Sequence, residues 1–195
     1  MRLKIAALVL SFSLLPADAQ TVEPGGGNIE SVEVKMHART ARGQLNTCEL
    51  EYLLWFKDHY ASQGRPVALR GAIAMAWLKE DQLPIIIYKI RGSEFKGIAF
   101  APFDISHGYL SAAGSNLAGK ETVIFKCEGD GACIGYPLEV LPLLIDGIYA
   151  GFRLTYLRKG SSQDVAAPLR VPLQQAQEFA TCTGQLLDAV KKSLK

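Results

Sequence analysis

From Ile29 onward the chain is written in short runs with a two-residue period. Val32, Val34 and Met36 alternate with Glu33, Lys35 and His37, and Cys48, Leu50 and Tyr52 alternate with Glu49 and Glu51. Such alternation puts one set of side chains on a core and the other in solvent, so both stretches read as half-buried strands. Two longer apolar runs follow, Val67 to Lys79 and Leu83 to Arg91, parted by Glu80-Asp81-Gln82, and they predict a buried hairpin. Ile85-Ile86-Ile87-Tyr88 has the β-branched and aromatic make-up of an inner strand, and Pro84 stands where no ladder donor is lost. Ile98 to Phe103 predicts a strand, Asp104 to Gly108 a turn, and Tyr109 to Ala113 a further strand.

The last third of the chain changes period. Glu139 to Ile145 reads as a short helix or loop, with Pro142 permissible only in a first helical turn. Gly151 to Arg158 and Val165 to Val171, on either side of a polar Lys159–Asp164 break, form the clearest hairpin. Pro172 then opens one or two closing helices, Leu173 to Thr181 and Gly184 to Leu194, in which Leu186, Leu187, Val190 and Leu194 fall on one face. The expected fold is mainly β, an antiparallel β-sandwich or barrel-like domain with one or two short C-terminal helices.

The first residues belong to a different pattern. Arg2 and Lys4 precede an apolar run from Ile5 to Leu15, and Ala17-Asp18-Ala19 is a small-residue cleavage signature, so residues 1–19 are expected to be a signal peptide. The run is shorter than the roughly 20 residues a membrane span needs, and the later apolar stretches are broken by Lys79, Glu139 and Asp146; no transmembrane span is expected. Residues 20–28, with Pro24-Gly25-Gly26-Gly27, read as a flexible leader, and 29–195 as a single β-rich domain. The expected location is the periplasm, or the cell surface after secretion.

Composition narrows the partners. The net charge is only +2 and the charges are interspersed, with one dense cluster, Lys191, Lys192 and Lys195, at the terminus. Nucleic acid is therefore not an expected partner. At 49% hydrophobic and 21% charged the chain has the make-up of a folded globule.

In an exported chain four cysteines, Cys48, Cys127, Cys133 and Cys182, point to disulfides, with three possible connectivities. Cys127 and Cys133 bracket the polar Glu128-Gly129-Asp130-Gly131-Ala132 loop between two apolar flanks, Thr122 to Phe125 and Ile134 to Tyr136. Pairing of those flanks as a hairpin would bring the two sulfurs together, which favours Cys127–Cys133 and leaves Cys48–Cys182. Paired C-x2-C units are missing and His37, His59 and His107 are scattered, so no metal site is expected.

Catalytic motifs are fragmentary. Ser93-Glu94-Phe95-Lys96 matches S-x-x-K without its companion elements, and there is no G-x-S-x-G, H-E-x-x-H or phosphate-binding loop. Asp58-His59 and Ser106-His107 set a histidine beside a polar neighbour, which sequence adjacency alone does not make a catalytic pair. No catalytic residue and no cofactor is expected. The stretch Leu53 to Tyr60 is a mixed apolar run too long to alternate cleanly, which offers Trp55, Phe56 and Tyr60 as a candidate interaction surface, core packing being the plainer alternative.

Ala99-Phe100-Ala101-Pro102-Phe103-Asp104-Ile105, the small-residue segment through Gly108, and Val123-Ile124-Phe125-Lys126-Cys127 through Gly131-Ala132-Cys133 resemble the invasion-associated locus B family of exported bacterial proteins. The short helical segment and final hairpin that follow resemble it too, and the likeness runs from about Cys48 to Thr181. That family tends to carry a cysteine pair near its first strands, whereas this chain has only Cys48 there and an additional Cys182 at its end. The resemblance implies a β-rich periplasmic or cell-surface protein linked by name to host-cell entry, with no catalytic residues to carry over.

The expected function is therefore non-enzymatic: a disulfide-stabilised envelope or secreted module that binds a protein or cell-surface ligand, in host-cell association or invasion. Two alternatives come from other classes. A small periplasmic hydrolase would use the Ser106-His107 turn or the Ser93/Lys96 pair, and a small apolar-ligand carrier would line a barrel with the Ile85 to Tyr88 strand.

Overall fold

The computed structural model describes residues 29–59, 62–78, 83–112, 115–116, 123–125, 131–162 and 164–194. The expected signal peptide and leader, Tyr60 and Cys127 lie outside the described residues.

Two antiparallel sheets make up most of the fold. The larger has seven strands: β1 (Ile29–Ala41), β2 (Gln44–Asp58), β3 (Arg65–Ala76), β4 (Ile85–Phe95), β5 (Phe100–Phe103), β8 (Val123–Phe125) and β9 (Ala132–Tyr136). Their order is β1-β2-β3-β4-β9-β8, with β5 paired to the far end of β4 beside β9. The smaller sheet has four strands, ordered β11 (Asp164–Leu169), β10 (Phe152–Arg158), β6 (Ile105–Ala112) and β7 (Ser115–Asn116). The chain passes from one sheet to the other at Asp104. That corrects the expected Asp104 to Gly108 turn: Ser106, His107 and Gly108 belong to β6, because Gly108 pairs with Tyr156 and His107 with Leu157. The sheets stay open at their edges, giving a sandwich-like arrangement and not a closed barrel.

Strand parity builds the core. On β2 the inward positions are Cys48, Leu50, Tyr52, Leu54 and Phe56; they lie opposite Met75, Ile73, Gly71, Leu69 and Val67 of β3, which lie opposite Ile86, Tyr88, Ile90, Gly92 and Glu94 of β4. Nearly all are fully buried and form one continuous cluster with Leu110 of β6, Leu154 and Tyr156 of β10, and Val165 and Leu169 of β11. Ile86 and Tyr88 thus fill a packed core. Glycines stand where large rings cross a strand. A Cβ on Gly92 would collide with the Phe103 ring, and one on Gly71 with the Tyr52 hydroxyl and the Lys89 carbonyl that accepts its hydrogen bond.

The smaller sheet has fewer strands than the larger, and the C-terminal helix covers part of what it leaves. Helix α1 (Leu141–Ala150), with Pro142 in its first turn, packs on β6. Helix α2 is one uninterrupted helix, Leu173–Ser193, that runs through Gly184 and lies over β2 and β1. Ala176, Phe179, Cys182, Leu186 and Val190 form its buried stripe, spaced three or four residues apart as one helical face requires. A disulfide joins Cys182 to Cys48 of β2 across 134 residues of chain. Cys133 on β9 is also disulfide-bonded, and β8 and β9 pair as a hairpin with Phe125 opposite Cys133. Among the described residues no helix is long and apolar enough to cross a membrane.

Candidate functional site

The Leu53 to Asp58 stretch does alternate. Leu54, Phe56 and Asp58 point inward and Leu53, Trp55 and Lys57 outward. Phe56 is therefore not a surface residue: it is 1% exposed, packed opposite Val67. Trp55 is half-buried on the outer face of the large sheet, in a row with Ser31, Ala68, Ser93 and Pro102. One row further, Phe95 of β4 pairs with Phe100 of β5. The three rings touch. Phe100 meets Trp55 edge-on at 4.8 Å between centroids and Phe95 at 5.5 Å, separations typical of favourable aromatic pairs. Phe100 remains 37% exposed and the neighbouring Ile98 95% exposed, so the cluster opens to solvent.

Next to the rings, on the same face, the outward positions of β3 are small except one. Ala68, Ala72, Ala74 and Ala76 make a low floor, from which Arg70 rises directly opposite Arg91 of β4, with Lys89 one step along. Like charges directly opposite each other on a sheet face are unfavourable. The face thus joins an apolar, aromatic patch to a basic one.

Beneath this patch the inward parity of three strands runs out of apolar residues at the same end of the sandwich. Asp58 ends β2, Glu94 nearly ends β4 and Arg158 ends β10. The Arg158 guanidinium donates to the Glu94 carboxylate at 2.9 Å and to the Ser62 hydroxyl at 2.7 Å, and Ser62 donates to Glu94 at 2.9 Å. Arg158 also lies 4.0 Å above the centre of the Phe103 ring, which is stacked on Tyr156. Arg65 and Lys96 reach the other Glu94 oxygen at 3.5 and 3.6 Å. Burial by itself would raise the Glu94 pKa, but the hydrogen bonds and charge of Arg158, the Ser62 hydroxyl and Arg65 outweigh it and hold the carboxyl below its ordinary range. A carboxylate so stabilised is a weak base, and Ser62 and Glu94 are 0% and 3% exposed. The cluster ties the two sheets together.

The residues named for a hydrolase do not assemble. Ser93 faces outward while Lys96 turns to Glu94. Ser106 donates to the Leu157 carbonyl, whereas His107 lies 3.8 Å from Asp164, which also accepts from the Tyr109 hydroxyl. Partial burial and then the Asp164 charge raise the Tyr109 pKa, so that phenol stays protonated. His37 faces Glu51 on β1 and β2, far along the chain from His59 and His107. Among the described residues no three metal-ligating side chains gather. In comparisons with protein-family models, with curated proteins and with solved structures, no significant match to the chain was found.

Phe95, Phe100, Glu94 and Arg158 are missing from the sequence-based site. Parity would have found two of them: 94 shares the inward set of 86, 88, 90 and 92, and 158 that of 152, 154 and 156. The meeting of Phe100 with Trp55 carries no local signal, since it depends on β5 returning along β4.

Proposed function

We propose that this chain is an exported, disulfide-stabilised, non-enzymatic binding module that engages a protein or cell-surface ligand through the aromatic and basic outer face of its large sheet. The observation that carries this reading is the Trp55–Phe100–Phe95 cluster, because large rings gathered on an exposed face beside Arg70 and Lys89 match the chemistry of binding hot spots. The fitting ligand presents an apolar or planar group flanked by negative charge. Export is supported by the charged, apolar and small-residue order of residues 1–19 and by the Cys48–Cys182 disulfide, a bond that persists in oxidising compartments. The resemblance to the invasion-associated locus B family supports the same compartment and a role in association with host cells. A non-enzymatic role is supported by the Ser62–Glu94 pair, which is buried and poorly basic.

The test compares wild type with a Trp55→Ala/Phe100→Ala variant in affinity capture from envelope and host-cell extracts, followed by titration of the retained component. The expected result is a saturable partner held by the wild type and lost by the variant, with an unchanged circular dichroism spectrum. Equal retention by both proteins would place binding elsewhere. A hydrolytic activity abolished by Ser93→Ala or His107→Ala in a folded protein would replace this reading with the enzyme.

A further inference from the structure

The large sheet ends in an unusually well-formed edge. β1 is 13 residues long and among the described residues pairs as a strand only with β2, so the backbone donors and acceptors on its other side have no strand partner there. Register irregularities fall between Ile29 and Ser31 and between Arg39 and Thr40, leaving Ser31 to Arg39 as a regular run. An edge of this kind is a template for another strand.

The charges on β1 point to which strand. Three of its charged or titratable side chains are matched by β2: Glu30 faces Lys57 at 3.6 Å, His37 faces Glu51 at 3.1 Å, and Arg39 faces Glu49 at 2.7 Å. Glu33 lies opposite Leu53 and Lys35 opposite Glu51, whose carboxylate is taken by His37; on the same outer face at the middle of the strand, neither Glu33 nor Lys35 makes an ion pair within 4 Å among the described residues. They flank Val34, and they are opposite in sign.

We propose that β1 pairs antiparallel with β1 of a second copy of this chain, with Val34 opposite Val34 on the two-fold axis. In that register each Glu33 lies opposite the Lys35 of the other copy, so the two β1 charges that lack a close ion pair within their own chain gain one across the seam. Val32, which is 38% exposed, lies opposite Met36 on the inner face, so the apolar positions at the sheet edge also gain partners. Neighbouring registers that keep the faces matched are disfavoured. A shift one way sets Glu33 against Glu33, a shift the other way Lys35 against Lys35, and like charges directly opposite are unfavourable. The axis is perpendicular to the sheet, so the outer faces of both copies stay on the same side and the two aromatic patches face the same way. The proposal stands independently of what binds there.

The test is the mass of the purified protein in solution, by sedimentation equilibrium or light scattering, for wild type, Glu33→Lys, Lys35→Glu and the double exchange Glu33→Lys/Lys35→Glu. The expected wild-type species has twice the mass of the single purified chain, which mass spectrometry of the denatured protein supplies. Each single variant, having two like-charge contacts, is expected to dissociate at least about tenfold more readily, 1.4 kcal/mol corresponding to each tenfold. The double exchange restores the dimer, and so does mixing the two single variants, which reunites opposite charges across the seam. Both altered positions are on the surface, so near-ultraviolet circular dichroism should stay at the wild-type spectrum. A wild type that remains monomeric up to its solubility limit overturns the proposal, as does a dimer that neither single variant weakens or that mixing fails to restore.

Discussion

At the scale of single residues, the largest commitment in the molecule is the buried Glu94–Arg158 pair. Both side chains sit where alternation would put an apolar group, and each is acceptable only because the other, with Ser62 and the Phe103 ring, is there. Removing one member strands the other's charge, a loss of several kcal/mol in buried pairs. Arg158→Met is therefore expected to cost about 3 kcal/mol in chemical denaturation, allowing for the residual exposure of Arg158. The double variant Arg158→Met/Glu94→Gln should recover much of it. The pH dependence has a definite sign. The folded-state pKa of Glu94 lies below its ordinary 4.5, so its stabilisation is complete above 4.5 and is lost as pH falls through the lower, folded value. The stability gap between wild type and Glu94→Gln should be constant from neutral pH down to about 4.5 and then close. A gap that widened on acidification would contradict the assigned charge state.

Elements were legible in proportion to how local their signals are. Alternation at Val32 to Met36 and at Cys48 to Tyr52, the polar break at Lys159 to Asp164 and the stripe Leu186, Leu187, Val190 each lie within one element, and each marks a real strand, hairpin or helix. Local pattern misleads where an element depends on a distant partner. Gly184 leaves one or two closing helices open, and the structure has the single helix, with Cys182 disulfide-bonded and Thr183 and Leu186 buried on either side of it. Ser106-His107-Gly108 looked like a turn because of its composition, yet pairing with β10 makes it strand. Phe56 reads as a surface candidate because its parity is not visible locally; the β3 register supplies it. The candidate face was half visible, through Trp55 alone. The dependence of α2 on its tether gives a second prediction. A cross-link closing a loop of on the order of 100 residues is worth about 4–5 kcal/mol in the chain-entropy account. Cys48→Ser/Cys182→Ser should lose stability of about that size, and amide exchange should quicken first in α2. Peptide mapping without reduction should recover Cys48 joined to Cys182. Uniform exchange across the molecule would mean that packing of Phe179 and Leu186 holds the helix without the bond.

For the molecule as a whole, the two faces of the large sheet divide the work. The inward face carries the continuous core, and the outward face carries the Trp55, Phe95 and Phe100 rings and the exposed Arg70 and Lys89 beside buried alanines. This division makes the electrostatics of binding separable from folding. Arg70 stands exposed on an alanine floor, so in the proposed binding role its charge would act on a ligand through solvent and be screened by salt, the Debye length falling from about 10 Å at 0.1 M to about 3 Å at 1 M. In the same proposed role the rings of Trp55 and Phe100 would act by contact and by removal of apolar surface from water, which salt does not screen. Arg70→Glu should thus weaken ligand binding strongly at low salt and hardly at all near 1 M, mainly through a slower association rate. Trp55→Ala should weaken it at both, mainly through faster dissociation. Surface plasmon resonance over a salt series, on proteins of equal melting temperature, distinguishes the two. Loss of binding with Arg70→Glu that persists undiminished at high salt would mean that this side chain makes a desolvated contact, and the ligand's negative charge would then have to sit directly over β3.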